Sequence, residues 1–203
     1  MVVKTVSESQ CQILQDIMDL HCPGGYEADV TYGNGGFWKT LTPPVLKFDL
    51  ESLASGVVRA DSSRLPLRPA SLGSAVCDLP FMTYVKAGRA HKGGKVSMSA
   101  RFSGYYSYPE LSASYQSVLS EMGRVLRVGG VLVFKCQDIV HNHKLHPTHI
   151  FAVEWARQSG MRLLDMFILA AKHRMPGPQK GKQRHARIYH SYFLVFQKEK
   201  ALA

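Results

Sequence analysis

Hydrophobic positions along the chain follow two spacings, one typical of helices and one typical of strands. Apolar residues recur every three or four positions over residues 9–20, 110–126 and 148–158, which predicts three helices. Short apolar runs bounded by turn residues predict seven strands, at residues 26–30, 45–49, 55–60, 74–78, 131–135, 163–170 and 188–196. This alternation indicates an α/β fold with a doubly wound sheet. No linker interrupts the pattern, so we expect a single domain over residues 1–203.

The charge of the chain favours an acidic partner. With 25 basic and 15 acidic side chains the net charge is +10, which favours nucleic acid over a membrane; the alternative is that the charge serves solubility. Two basic, loop-like stretches, residues 86–108 and 172–187, are expected to contact substrate as arms. The nucleic-acid contacts expected there are Arg89, Lys92, Lys95, Arg101, Lys172, Arg174, Lys180, Lys182 and Arg184. The tyrosines of the first arm that are candidates for stacking on unpaired bases are Tyr105, Tyr106 and Tyr108.

Cysteine usage and the N-terminal residues favour a cytoplasmic protein. The four cysteines are far apart and form no CxxC pair, so we expect reduced thiols. The first ten residues lack an apolar signal core, and no run approaches the about 18 apolar residues of a membrane span. We therefore expect no membrane partner, and the sequence predicts no oligomeric state. Four histidines between residues 141 and 149 have spacing that could suit a metal, but a polar loop is the expected interpretation, without a metal.

Four acids fall at the ends of predicted strands: Asp29, Asp49, Asp61 and Asp78. A single aspartate at such a position is explained as a cap or turn residue. Four in series indicate a ligand site, because open α/β sheets bind ligands at the carboxyl ends of their strands.

The stretch TYGNGG after the first of these acids is a glycine-rich turn without the third glycine of a dinucleotide fingerprint, since Lys39 takes that position. The acid before the turn disfavours phosphate and suits a cation. Asp49 is placed like the acid that holds ribose hydroxyls in nucleotide-binding folds. An adenosine-like, positively charged ligand without phosphate corresponds to S-adenosylmethionine.

Two motifs resemble those of the S-adenosylmethionine-dependent amino-methyltransferases that act on nucleic-acid bases. Residues 29–36, DVTYGNGG, resemble the D-P-F-x-G-S-G-T cofactor motif, and residues 78–81, DLPF, resemble the D-P-P-Y/F catalytic motif. Residues 124–138 are similar to the helix, turn and strand that follow in that family, and the resemblance extends from about residue 10 to 197. The chain departs from the motifs at Val30, Thr31, Gly36 and Leu79. The resemblance implies a mostly parallel, seven-stranded, Rossmann-like sheet with an antiparallel last strand.

The catalytic motif implies a clamp for an exocyclic amino group. Asp78 and the Leu79 carbonyl would accept the two N–H groups, Pro80 would hold the backbone, and Phe81 would stack on the flipped base. The cofactor motif implies that the ligand contacts Tyr32, Gly33, Asn34 and Gly35, with Asp29 orienting the turn and the ligand's ammonium group, Asp49 on the ribose and Asp61 on the adenine amino group.

The implied substrate is DNA, with adenine N6 ahead of cytosine N4. RNA is the alternative, because ribosomal and transfer RNA members of the family use a similar clamp. A second alternative is an inactive module that keeps the fold and binds cofactor or nucleic acid.

Overall fold

The computed structural model describes residues 2–51, 54–83, 105, 107–171 and 183–200. The helices are α1 (Gln10–His21), α2 (Tyr108–Val125) and α3 (Thr148–Gln158), with a short 3-10 helix at Gly36–Trp38. The strands are β1 (Val6–Ser7), β2 (Ala28–Asp29), β3 (Leu46–Asp49), β4 (Val58–Arg59), β5 (Leu72–Asp78), β6 (Leu126–Cys136), β7 (Ile139–His141), β8 (Lys144–His146), β9 (Met161–Ala170) and β10 (His190–Lys198).

The main sheet has eight strands in the order β1-β9-β10-β6-β5-β2-β3-β4. Neighbours from β4 through β6 run parallel, whereas β10 is antiparallel to both β6 and β9. The predicted doubly wound, mostly parallel sheet with an antiparallel last strand is therefore confirmed. The strand count of seven was one short, because β1 adds a two-residue edge strand parallel to β9.

Both faces of the sheet are covered by helices. Tyr115 and Leu119 of α2 belong to one core cluster with Phe134, whereas Ile13 and Ile17 of α1 belong to the cluster on the opposite face. The alternation of side chains along each strand sends neighbouring residues to these two cores. α1 begins where Ser9 Oγ accepts a hydrogen bond from the backbone N–H of Gln12 at 3.2 Å. The apolar positions that predicted α1 thus face a buried layer.

Residues 127–130, between the helix predicted at 110–126 and the strand predicted at 131–135, differ from the turn that the sequence predicts there. They belong to the long strand β6, but its pairing with β5 is irregular between Leu72 and Ser74, and Gly129 has a φ of +81°. The glycine pair therefore distorts the strand instead of ending it. The histidine-rich segment also differs from the expected loop, since β7 and β8 form an antiparallel hairpin.

The strand order reverses between β2 and β5. The chain leaves β2 towards β3 and β4 on one side, and continues from β5 to β6 on the other side. The carboxyl ends of β2 and β5 therefore frame the crevice where open α/β sheets bind ligands. All four cysteines are free thiols. In the described ranges no helix combines the length and apolarity that crossing a membrane requires.

Candidate functional site

Asp29 ends β2 and organises the turn that follows it. The carboxylate is 2% exposed, and its Oδ1 accepts from the Thr31 backbone N–H at 2.9 Å while Oδ2 accepts from Trp38 Nε1 at 2.7 Å. Both oxygens therefore point into the protein. Asp29 therefore holds the turn through Thr31 and the short 3-10 helix through Trp38.

The glycine turn is held against the end of the neighbouring strand. The backbone N–H of Gly33 donates to Asp49 Oδ2 at 2.8 Å, and Gly33 and Gly35 have φ values of +54° and +76°, which only glycine adopts without strain. A Cβ on Gly35 would lie 3.0 Å from Tyr32 Oη. The turn is thus packed against the Tyr32 ring at Gly35, whereas at Gly33 nothing lies within 4 Å of the Cβ position.

Asp49 keeps acceptor capacity beside this turn. Its Oδ1 accepts from the Glu51 N–H at 3.1 Å, in addition to the Gly33 bond to Oδ2. An ionised carboxylate has about four lone-pair sites, so the two amide contacts leave room for ribose hydroxyls. Asp61 lies two residues past the end of β4, not at the strand end that we predicted. Its Oδ1 accepts from the N–H and the hydroxyl of Ser63, both at 2.8 Å.

Asp78 ends β5 and is tied to the glycine turn. Its backbone N–H donates to Thr31 Oγ1 at 2.7 Å, which joins the two predicted motifs across adjacent strands. Although 24% of the side chain is exposed, its Oδ1 is buried and accepts no hydrogen bond from the described residues. A buried acceptor without a partner is costly and rare in proteins. At this crevice, Oδ1 is an acceptor that a bound donor can reach without displacing a protein partner among the described residues.

The residues after Asp78 are fixed by the core. Leu79 is buried, the carbonyl of Pro80 accepts from Tyr115 Oη at 3.2 Å, and Phe81 packs against the main core while remaining half-buried. An ionisable group, a fixed backbone turn and an aromatic ring therefore stand side by side, as a planar clamp requires.

Lys135 completes the site on the adjacent strand β6. Its Nζ donates to Asp78 Oδ2 at 3.1 Å and to Gln10 Oε1 at 3.1 Å. The sequence analysis did not single out this lysine, although a charged residue inside the apolar run VLVFKC was a usable signal. Thr31 and Trp38, which bind the two aspartates, were also missed as site residues.

The two buried carboxyls have altered acidities. Burial raises the pKa of Asp29 to about 7, against the lowering effect of its hydrogen bonds from Thr31 and Trp38. Burial also raises the pKa of Asp78, and the Lys135 ammonium opposes that rise. The proximity of Asp78 contributes to the high pKa of Asp29. Perturbed carboxyls at a sheet crevice are typical of functional sites.

The predicted nucleic-acid contacts lie mostly outside the described residues. These are Arg89, Lys92, Lys95, Arg101, Lys172, Arg174, Lys180 and Lys182, and Tyr106 is outside as well. Arg184 is described and exposed. Tyr108 is not a base-stacking residue of an arm: it begins α2, is buried, and stacks on His146 with ring centroids 3.8 Å apart.

No family model matches the chain, and no curated protein matches its sequence. Solved structures do match. A proposed sarcosine dimethylglycine methyltransferase from Galdieria sulphuraria aligns with a TM-score of 0.55 at 10% identity, over 93% of this chain and 85% of that one. A chain of the Haloferax volcanii complex between the Trm112 methyltransferase activator and a proposed methyltransferase aligns with a TM-score of 0.50 at 12% identity, over 95% and 96%.

A proposed DNA modification methylase from Thermus thermophilus, crystallised with S-adenosyl-L-methionine, aligns with a TM-score of 0.43 at 19% identity. That alignment covers 71% of this chain and 55% of the methylase, so this chain spans about half the length of the methylase. The Galdieria and Haloferax alignments, together with the strand order, define the chain as a Rossmann-like methyltransferase fold.

Proposed function

We propose that the protein is an S-adenosylmethionine-dependent methyltransferase that modifies an exocyclic amino group of a nucleic-acid base, with adenine N6 of DNA as the first candidate. The observation that carries the proposal is Oδ1 of Asp78 at the carboxyl end of β5, which is buried and has no hydrogen-bond donor in the described part of the chain. Leu79, Pro80 and Phe81 follow it directly, and Thr31 ties it to the glycine turn. This combination supports an amino-group clamp next to a cofactor turn.

Three groups are suited to hold the cofactor: the backbone of residues 33–35, the carboxylate of Asp49, and Asp61, which follows the edge strand β4. Tyr32 and Asn34 line the same turn as candidates for contact. When bound, S-adenosylmethionine supplies an electrophilic methyl group. The protein contributes orientation and no covalent intermediate.

The clamp makes the amino nitrogen a better nucleophile. The lone pair of an exocyclic amino group is delocalised into the ring, and two acceptors for its N–H groups favour a pyramidal nitrogen with a localised lone pair. Asp78 Oδ1 accepts one N–H, and the carbonyl of Leu79 accepts the other. Pro80 fixes that backbone through its restricted φ, and Phe81 stacks on the flipped base. The proton that the nitrogen releases passes to Asp78 Oδ1.

The net charge of +10 supports a nucleic-acid substrate. Contacts between basic side chains and phosphates position a nucleic acid but do not specify its sequence. DNA and RNA therefore both enter the test as substrates, with DNA as the primary proposal. Within DNA, the Asp-headed clamp favours adenine N6 over cytosine N4 in the family that the motifs resemble.

The test is transfer of a labelled methyl group to duplex DNA, single-stranded DNA and total RNA, followed by hydrolysis to nucleosides. We expect label in N6-methyldeoxyadenosine with the wild type and its loss in Asp78→Ala. Asp78→Asn is the matched variant, because asparagine has the shape of aspartate. Lys135 would bind the amide oxygen, so that the amide N–H groups, which cannot accept a hydrogen bond, would face the base. Glu154→Gln, in an exposed ion pair on α3, controls for charge removal.

Three outcomes separate the alternatives. Label in RNA alone would keep the clamp and change the substrate. Cofactor binding without transfer to any of the three would favour an inactive binding module. Full activity of both Asp78 variants would refute the proposal.

A further inference from the structure

Lys135 is a buried, charged residue of the site that has no role in the chemistry proposed above. It is 8% exposed and stands in register with Asp78 of β5 on one side and with Phe193 of β10 on the other. Residues in register on adjacent strands point to the same face of a sheet. Lys135 therefore shares the α1 face with Asp78, where Gln10 accepts its second hydrogen bond.

Three aromatic rings surround the ammonium group. Nζ lies 4.9 Å from the ring centroid of Phe37, 5.6 Å from that of Phe193 and 5.9 Å from that of Phe81. These distances fall within the range of cation–π attraction. The ammonium group thus contacts both ends of the clamp. It binds Oδ2 of Asp78 and lies over the ring of Phe81.

A buried lysine is expensive unless its charge is needed. Replacing a buried ion pair with apolar side chains is often neutral or stabilising, so stability alone gives little reason for Lys135. The charge does have an effect on Asp78, whose carboxyl would otherwise favour its protonated form in this buried position. Asp29, on the neighbouring strand β2, is also a carboxyl, and the charge of Asp78 contributes to the raised pKa of Asp29. The other titratable groups close by are Cys77, Cys136 and Tyr115, and burial raises the pKa of each, so they remain uncharged.

We propose that Lys135 is a positioning residue that sets the hydrogen-bonding polarity of the clamp, so that only an amino-bearing base edge fits. This inference rests on the proposed function. By binding Oδ2, Lys135 keeps Asp78 ionised, and an ionised carboxylate is an acceptor only. Oδ1 then faces the base as an acceptor beside the Leu79 carbonyl.

The consequence is discrimination between amino and keto bases. Adenine and cytosine offer N–H donors at the reacting position, whereas guanine O6 and thymine or uracil O4 offer acceptors. A protonated Asp78 would present an O–H donor, to which the oxygen of a keto base could bind, so the keto bases would fit as well. Lys135 therefore acts through Asp78 and needs no contact of its own with the substrate.

The first experiment measures the ionisation of Asp78 and requires no activity. Protein labelled with ¹³Cγ-aspartate is titrated by NMR, with the Asp78 signal assigned by its absence in Asp78→Asn. We expect the wild-type Asp78 to be ionised at neutral pH, and its titration midpoint to rise by about one pH unit or more in Lys135→Met. Gln10→Leu is the control, because it removes the other partner of Nζ and keeps the ion pair.

The wild type alone can overturn the inference. A protonated Asp78 in the wild type at neutral pH would do so even if Lys135→Met failed to fold. Equal titration midpoints in the wild type and in a folded Lys135→Met would also overturn it.

The second experiment measures selectivity. Adenosine and inosine, which differ in the amino and keto groups at one position, are titrated against each protein, with the Asp78 signal as the readout. We expect the wild type to bind adenosine about tenfold more tightly than inosine, the low end of what a well-made base contact supplies. Lys135→Met should lose this preference at pH values below the titration midpoint of its Asp78. Equal affinity of the wild type for both nucleosides would overturn the inference.

The two proposals fail separately. If no nucleic acid is methylated but Asp78 ionisation depends on Lys135, the proposed function is wrong and the role of Lys135 in the ionisation of Asp78 stands. If transfer depends on Asp78 but its titration is the same with and without Lys135, the proposed function stands and this inference is wrong.

Discussion

Asp29 should make the stability of the protein fall as the pH rises through neutrality. Its carboxyl has an ordinary pKa of 3.8 and a folded-state pKa of about 7 because it is buried. Between these values the folded state holds a proton that the unfolded chain has released. Since the folded state then binds more protons, the free energy of unfolding decreases as the pH increases.

The size of the effect follows from the two pKa values. Each pH unit between them is worth about 1.4 kcal/mol, so the full loss is about 4 kcal/mol. About 3 kcal/mol of that loss falls between pH 5 and pH 8. Asp29→Asn removes the titration but has one acceptor oxygen for two donors, Thr31 N–H and Trp38 Nε1, which costs about 1–3 kcal/mol at every pH.

The assay is urea unfolding of the wild type and Asp29→Asn, followed by circular dichroism at several pH values from 5 to 8. We expect the variant to gain about 3 kcal/mol in stability relative to the wild type between pH 5 and pH 8. Other titrating groups are common to both proteins, so the difference between the two curves isolates Asp29. A difference that stays constant within about 1 kcal/mol over this range would refute the reasoning.

Three further substitutions test the turn and the clamp. Gly35→Ala should weaken S-adenosylmethionine binding about tenfold in calorimetry and cost about 1 kcal/mol of stability, because alanine at a φ of +76° is strained. Thr31→Val should lower stability by about 1–3 kcal/mol in urea unfolding, because it leaves the Asp78 N–H without its acceptor. Tyr115→Phe should cost about 1 kcal/mol and slow methyl transfer without altering cofactor affinity, because the hydroxyl binds the Pro80 carbonyl.

Each of these has a matched control. Gly24→Ala places a methyl group where nothing lies within 4 Å and should leave cofactor binding unchanged. Thr31→Ser keeps the hydroxyl and should retain most of the stability that valine loses. Wild-type cofactor affinity in Gly35→Ala, or equal stability of the serine and valine variants, would contradict the account of the turn. An unaltered transfer rate in Tyr115→Phe would contradict the account of the clamp.

Much of the fold could be predicted because burial imposes periodicity. The helix predicted over residues 148–158 is α3 as observed, and the strand predicted at 74–78 lies within β5. β1 has only two residues, too few to show a period, and it exists because β9 offers an unpaired edge. β7 and β8 have three residues each, too few for their alternation to be detected.

The parts of the site whose residues lie close together in the sequence could be predicted. The parts that depend on pairing between strands could not. The turn after Asp29 and the DLPF segment were visible as local motifs. Lys135 lies 57 residues from Asp78 in sequence, and only the parallel register of β5 with β6 joins them. The same limitation hid the indole of Trp38. It is buried, and its N–H binds Asp29.

Thr31 explains one departure from the motif that the sequence resembles. It stands where D-P-F-x-G-S-G-T has phenylalanine, whose side chain has no hydroxyl to accept from the Asp78 N–H. The Thr31 N–H donates to Asp29, and its hydroxyl accepts from the Asp78 N–H. Past the end of β2, backbone bonds still join Val30 to Val76 and Tyr32 to Phe48. The Thr31 side chain adds the bond to the end of β5. A ligand that displaces the glycine turn must therefore shift the backbone of Asp78, and with it the acceptor that Lys135 orients. We expect cofactor binding to order the clamp before a base enters it.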